Sequence, residues 1–296
     1  MNESIYPVMI NWNSRQDTLE CVASLLAAGV SEGQIVIVDH ASTDDSVPVL
    51  QERFGSAIHV LEIAENLGFA GGINRGVQFA LGQGADWVLV MNNDTTVAGD
   101  FIAELEHAIQ RHPEYTVFGP LILYTYDPSR VWYLADCRWR NSLITRSLYK
   151  DQVVPEDLTE FIEVDFISGC GMLVHRRVVE ATGLFDPLFF MYAEDADFCW
   201  RARQAGFKIA AAPHARMWHK VSVSASRDKP AQRYNRIRNQ IWFYRKYARG
   251  LQLGFLFLFS ALRSLWIGAR DIPQQQNGLL TALWRGWRDG WWMEIG

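Results

Sequence analysis

Asn92-Asn93-Asp94 closes the apolar run Trp87-Val88-Leu89-Val90-Met91. Such a run predicts a buried strand, and the triplet then falls at its C-terminal end, where open α/β sheets bind ligands. A carboxylate at that edge can hold a divalent cation against a phosphate; Asn and Asp also form turns on their own account. Asp39 ends a second apolar run, Ile35–Val38, and can accept a hydrogen bond from a base N–H or a ribose hydroxyl, while Ser42 to Asp45 supply a helix N-cap. In Glu65–Gly76, glycines before a helix let backbone N–H groups approach an anion. The stretch is neither a dinucleotide fingerprint nor a P-loop, so a tight packing turn competes with a diphosphate contact, and Arg75 serves either a nucleotide or a helix face. Glu194-Asp195 follows the aromatic run Phe189-Phe190-Met191-Tyr192. Like charges side by side, partly desolvated, raise a carboxyl pKa toward the range of a general base. Acids in a first helical turn also answer the helix dipole, the role expected of Asp197. His219 with Asp94 would make a mixed nitrogen and oxygen site suited to Mn²⁺ or Mg²⁺ if a diphosphate supplies the other oxygens.

The elements that must position these residues alternate. Tyr6–Asn11 predicts a first strand, Ile35–Val38 a second, Ile58–Ile63 a third and Trp87–Met91 a fourth. Helices fall between them at Thr18–Ala28, Ser46–Phe54 and Gly72–Leu81. In the first of these, Leu19, Val22, Leu25 and Leu26 keep helical spacing and Gly29 is the stop. This alternation builds a parallel sheet with helices on both faces. Phe101–Arg111 adds a helix and Thr116–Tyr124 a strand interrupted at Gly119-Pro120. The mixed stretch 126–163 reads as loops and irregular strands turned toward a substrate. Phe166–His175 is a strand broken by Ser168-Gly169-Cys170-Gly171, Glu194–Gly206 a helix and Lys208–Ala212 a short strand.

With 49% hydrophobic and 21% charged residues over 296 positions, the chain is globular. A net charge of −5 supports no nucleic-acid partner. Four scattered cysteines without a CxxC pair argue against structural zinc and for reduced thiols. Together with a start that lacks a signal peptide, they predict a cytoplasmic protein. From Arg233 the chain becomes basic and aromatic, which sets the expected division at 1–232 and 233–296. Arg233–Arg249 should be helical; Leu251–Ile267 is apolar but short and interrupted by Arg263 for a membrane span. Trp284, Trp287, Trp291 and Trp292, interleaved with Arg285 and Arg288, fit either an interfacial helix at the inner face of the cell membrane or a helix packed on the core.

Taken in order, Val8–Asn13, Val36–Asp44, Glu65–Gly72, Asn92–Asp94, Ser168–Cys170, Phe190–Asp195 and Trp218-His219 form a set. It resembles the inverting family 2 glycosyltransferases of the GT-A fold, most closely their rhamnosyltransferase-like branch. The resemblance implies a Rossmann-like, mixed but mainly parallel α/β sheet flanked by helices, with a C-terminal helical appendage. It implies that Asp94 and His219 hold Mn²⁺ or Mg²⁺ and that Asp195, with Glu194 beside it, is the catalytic base. Asn11, Asp39, Asn66, Gly68, Gly71, Arg75 and Asn93 are assigned to the nucleotide sugar. Asn92 stands where the family motif begins with an acid, and His40 where an asparagine is more usual. The implied reaction is a single displacement from a nucleoside-diphosphate sugar, rhamnose first, to a hydroxyl of a saccharide or lipid-linked saccharide in surface-polysaccharide synthesis. Membrane contact and a homodimer are left open. A nucleotidyltransferase is the alternative enzyme, for which Asn11–Arg15 is a poor match; a non-catalytic scaffold is disfavoured by intact Asp94, Asp195 and His219.

Overall fold

Apolar residues alternate between the two faces of every central strand: Val8 and Met9, Val36 and Ile37, Leu89 and Val90 point to opposite cores. That period of two forces helices onto both sides of the sheet. The computed structural model describes residues 3–139, 142–158, 161–221, 229–271 and 277–295. β1 (Ile5–Asn11), α1 (Arg15–Ala27), β2 (Val36–His40), α2 (Ser46–Phe54), β3 (His59–Ile63), α3 (Gly68–Gly82) and β4 (Trp87–Met91) form the first half of the sheet and its helices. Its strands run in the order β4-β1-β2-β3, all parallel. α3 rests closely on β1 and β2 because Gly72 and Gly76 form its sheet-facing side; a Cβ at Gly76 would come within 2.4 Å of Val8 Cγ1.

The second half adds β5 (Thr95–Val97), α4 (Phe101–Arg111), β6 (Tyr115–Tyr124), β7 (Val131–Tyr133), β8 (Asp136–Arg138), β9 (Thr145–Ser147), β10 (Ile162–Glu163), β11 (Gly171–His175), α5 (Arg176–Thr182), α6 (Glu194–Gln204) and β12 (Lys208–His219). β11 inserts antiparallel beside β4, followed outward by β6, β12 and β10, which makes the sheet mixed. β8 and β9 form a separate hairpin within the irregular middle stretch.

Two strand expectations change. β6 is not interrupted at Gly119-Pro120, and β12 continues past Ala212 to His219. The irregularity lies instead in β12, whose register with β6 shifts between Ala212 and Arg216, around Pro213. A proline without an N–H is tolerated at such a bulge. The continuation brings His219 beside Asp94 and Thr95 at the end of β4. α3 also starts at Gly68, four residues before the expected Gly72, and β11 begins only at Gly171.

Three helices follow: α7 (Lys229–Tyr247), α8 (Gly250–Asp271) and α9 (Asn277–Trp292). The 232/233 division falls inside α7. α7 buries Trp242, Phe243 and Tyr244 in the same core as α3 and α6. α8 is longer than its apolar run suggests, because its polar interruptions have partners. Ser260 accepts the indole N–H of Trp287 (3.2 Å) and Trp291 (3.0 Å), and Arg263 donates to Gln240. With a mean hydropathy of 1.5 it is long and apolar enough to cross a membrane by those two measures.

Candidate active site

β4 delivers the triplet to the C-terminal edge of the sheet. Asp94 is 7% exposed and His219, from the end of β12, is 6% exposed. Asp94 Oδ1 and His219 Nε2 lie 3.1 Å apart, and the Asn92 side-chain nitrogen is 3.5 Å from the same His219 atom. The short β5 pairing, Thr95 against His219, holds the two ends together. Burial works against an imidazolium at His219, but Cys170 and the Asp94 carboxylate raise its pKa to about 10. Trp132 packs edge-on to the ring at 4.4 Å.

This donor set fits a hard divalent cation. One carboxylate oxygen and one imidazole nitrogen converge, and among the described residues no third histidine, cysteine or acid completes a cluster. Mn²⁺ and Mg²⁺ accept such a partial protein shell when phosphate oxygens and water fill the rest.

Beside this pair, at the ends of β1 and β2, runs a connected polar chain. Asn11 donates to Asp39 Oδ2 at 2.6 Å, and the Ser42 N–H and hydroxyl donate to the two Asp39 oxygens at 2.9 and 2.7 Å. Thr18 donates to Asn11 at 2.7 Å, and Asn93 donates to Thr18 at 2.8 Å. Asn93 thus reaches Asp39 through two intervening side chains. Asn66 is exposed; its Oδ1 accepts from the Gly68 N–H (2.8 Å) and lies 3.1 Å from His40 Nδ1. Burial lowers the His40 pKa, against opposing effects of Asn66 and Asp39, which favours the neutral ring. Gly68 has φ +70, and a Cβ there would lie 2.3 Å from the Phe190 carbonyl oxygen. This is the close approach that the glycine-rich loop serves. Gly71 lies in the first turns of α3, half-buried, and Arg75 is exposed further along the same helix.

The carboxylate pair opens α6. Asp195 Oδ2 accepts from the Gly169 N–H at 3.2 Å and Oδ1 from the Ala196 N–H at 2.8 Å. Burial raises the Asp195 pKa, those backbone donors oppose the rise, and Asp136 adds to it. Glu194 is buried, its Oε2 has no hydrogen-bond partner, and burial followed by the Asp195 charge pushes its pKa well up. The turn Ser168–Cys170 joins this pair to the cation edge: Gly169 holds Asp195, while the Cys170 carbonyl accepts from the Asn92 N–H at 3.3 Å.

Asp197 lies in the first turn of α6 as expected and does more there. It is fully buried and bonded to Arg201 (2.8 Å), Lys246 (2.7 Å) and Tyr247 (2.6 Å), and so also anchors α7. Sequence reasoning also passed over Asp136, whose pKa burial raises beside Asp195, and Asn239 of α7. Asp136 lies in a stretch without periodicity. Asn239 carried one signal, a short polar residue between Ile237 and Ile241 on a buried helix face.

A mixed sheet of this topology, with the Asp94–His219 pair, the Asp39 chain and the α6 carboxylates linked along one edge, has the architecture of the GT-A class of glycosyltransferases. The match to "Glycosyl transferase family 2" covers residues 7–183, and the chain belongs to that family. It is 23% identical over 256 residues to a dTDP-rhamnosyl transferase of Shigella flexneri, covering 83% of this chain and 81% of the relative. It is 28% identical over 233 residues to an N-acetylglucosaminyl-diphospho-decaprenol L-rhamnosyltransferase of Mycobacterium tuberculosis, covering 70% and 73%. A low-salt glycan biosynthesis hexosyltransferase of Haloferax volcanii matches at 26% over 210 residues, which is 71% of this chain and 64% of that protein's length. Among solved structures, GalNAc-T7 with UDP, GalNAc and Mn²⁺ superposes with a TM-score of 0.62 at 16% identity, over 82% of this chain and 48% of the other. A Pyrobaculum calidifontis mannosyltransferase with GDP-Man and Mn²⁺ gives 0.59 at 12% identity, over 99% and 88%. These likenesses establish the fold.

The raised Glu194 pKa fixes a sign. A carboxyl whose folded pKa lies above its unfolded value contributes fully below the unfolded pKa and loses that contribution as pH rises toward the folded value. Glu194→Gln should therefore leave the melting temperature at pH 4 unchanged and raise it by roughly 2 °C or more at pH 8, as measured by calorimetry.

Proposed function

We propose that the protein is a metal-dependent inverting glycosyltransferase. It would move a sugar, rhamnose first, from a nucleoside diphosphate to a hydroxyl of a saccharide or lipid-linked saccharide in surface-polysaccharide synthesis. The observation that carries this is the junction at Ser168–Cys170, which sets a cation-competent pair and a backbone-anchored carboxylate on either side of one turn. Mn²⁺ or Mg²⁺, held by Asp94 and His219, would supply charge neutralisation for the diphosphate. Asp39, oriented by Asn11 and Ser42, would bind the base or ribose, with Asn93, Asn66, Gly68, Gly71 and Arg75 along the donor's path. Asp195 would take the proton from the acceptor hydroxyl as that oxygen attacks the anomeric carbon, which inverts the centre. Its ionised form is stabilised by two N–H donors while burial keeps it basic. Glu194, buried with one oxygen unpartnered, would stay protonated and leave the negative charge to its neighbour. The rhamnosyltransferase relatives support the sugar and the lipid-linked acceptor class.

In this scheme residues 1–232 carry donor and base, and 233–296 face the acceptor and the inner membrane surface. Supporting the second part, α8 turns Leu251, Phe255, Leu258, Leu262, Leu265 and Trp266 to the exterior, with Arg249 and Arg270 exposed at its ends. Of the tryptophans, Trp287 and Trp291 pack inward on Ser260, leaving Trp284 and Trp292 exposed.

With dTDP-rhamnose and Mn²⁺, Asp195→Asn should slow nucleoside diphosphate release by about 10²- to 10⁴-fold and leave donor affinity within a few-fold. Turnover near the wild-type rate would remove the base assignment, and pyrophosphate release would point to a nucleotidyltransferase. In sedimentation with anionic vesicles the protein should pellet. Leu258→Glu with Leu262→Glu and Trp266→Glu should leave it in the supernatant; wild-type protein that never pellets would contradict the membrane half of the scheme.

A further inference from the structure

The two residues before the carboxylate pair have left-handed backbones. Tyr192 has φ 73 and Ala193 φ 70, and neither is glycine. Residues with a Cβ avoid that region, and two in succession persist only where the surroundings hold them. Ala193 is the N-cap of α6, so its conformation sets the direction in which Glu194 and Asp195 leave the turn.

What holds the turn comes from outside the family-matched stretch. Asn239, fully buried on α7, donates its side-chain N–H groups to the carbonyls of Met191 (2.8 Å) and Tyr192 (3.2 Å). Its Oδ1 accepts from Arg238 Nε at 2.9 Å, so every polar atom of the amide is committed and its orientation is fixed. The carbonyl just before, that of Phe190, accepts from Ala70 N–H at 3.4 Å, at the start of the donor-facing helix. Lys246 of α7 binds Asp186 and Asp197 at 2.7 Å each, bracing the chain on both sides of the turn.

We propose that Asn239 is a positioning residue for Asp195. By capping two carbonyls it keeps Tyr192 and Ala193 left-handed, and that turn places the Asp195 carboxylate against the Gly169 N–H and the acceptor. The inference rests on the function proposed above. It makes α7 part of the catalytic apparatus: the base is presented by one segment and aimed by another some 45 residues later in the chain.

The test uses full-length protein, Mn²⁺ and dTDP-rhamnose, with Asp195→Asn run in parallel. Asn239→Ala should lower kcat by about 100-fold, the cost of a misplaced catalytic group, with the donor KM changed less than about threefold. Adding Ala193→Gly to Asn239→Ala should recover roughly tenfold of that loss, because glycine occupies the left-handed region without steric cost; a role in overall stability alone predicts no such recovery. In a crystal structure of Asn239→Ala, residues 192 and 193 should leave the left-handed region. If Asn239→Ala does not fold, Asn239→Asp, equal in shape but lacking the donor hydrogens, takes its place. A kcat within twofold of wild type, a loss matched by equal loss of donor affinity, or an unmoved 191–193 backbone would overturn the proposal. Should Asp195→Asn keep its turnover, or dTDP-rhamnose release no nucleoside diphosphate at all, the proposed reaction fails; the crystal structure still decides whether Asn239 holds the turn.

Discussion

The turn Ser168-Gly169-Cys170 is the constraint on which the site depends. Its Gly169 N–H is bonded to Asp195 and its Cys170 carbonyl to the Asn92 N–H, so the Asp195 carboxylate and the Asn92–Asp94 segment, about a hundred residues apart in sequence, are tied to the same three residues. The turn is fixed in its place by β11, which pairs antiparallel with β4 from Gly171↔Met91 to His175↔Trp87. Both strands are buried, with side chains committed to opposite cores, so a slip of one residue would invert every contact. Core packing thereby sets the geometry of the polar site.

The site is built against the preference of its own charges. Glu194 is buried with an oxygen unpartnered, Asp195 is held basic by burial, and Asp94 faces His219 as a nearly water-free pair. Left-handed Tyr192 and Ala193 add backbone strain beside them. Concentrated like this, unfavourable local choices mark where a fold serves chemistry rather than its own stability. The compensation is remote: large two-sided cores and the α7 contacts to Asp186, Asp197 and the 191–192 carbonyls.

Much of this was legible in residue patterns, and the exceptions have physical causes. Trp87–Met91 announced a buried strand, which placed Asn92–Asp94 at the sheet edge, and the same logic placed Asp39. His219 was different. Lys208–Ala212 reads as a complete strand, while in three dimensions a bulge around Pro213 lets the strand continue to the histidine; the residue types offered His219 as a partner for Asp94, but not the strand that brings it there. Gly119-Pro120 misled in the same way, since the sheet accommodates the proline on the neighbouring strand. Asn239 and Asp136 were out of reach because their roles depend on long-range docking of α7 and of the irregular stretch, which no local period encodes.

One pocket joining a cation edge to a carboxylate helix is the central claim, and anomalous diffraction tests it directly. Crystals grown with Mn²⁺ and a nucleoside diphosphate, measured near the manganese edge, should show a single strong peak within bonding distance of Asp94 and His219. The phosphates should lie against it and Asp195 should face the open side. A manganese peak at any other residues, or a diphosphate bound on a surface away from the Ser168–Cys170 turn, would contradict the account.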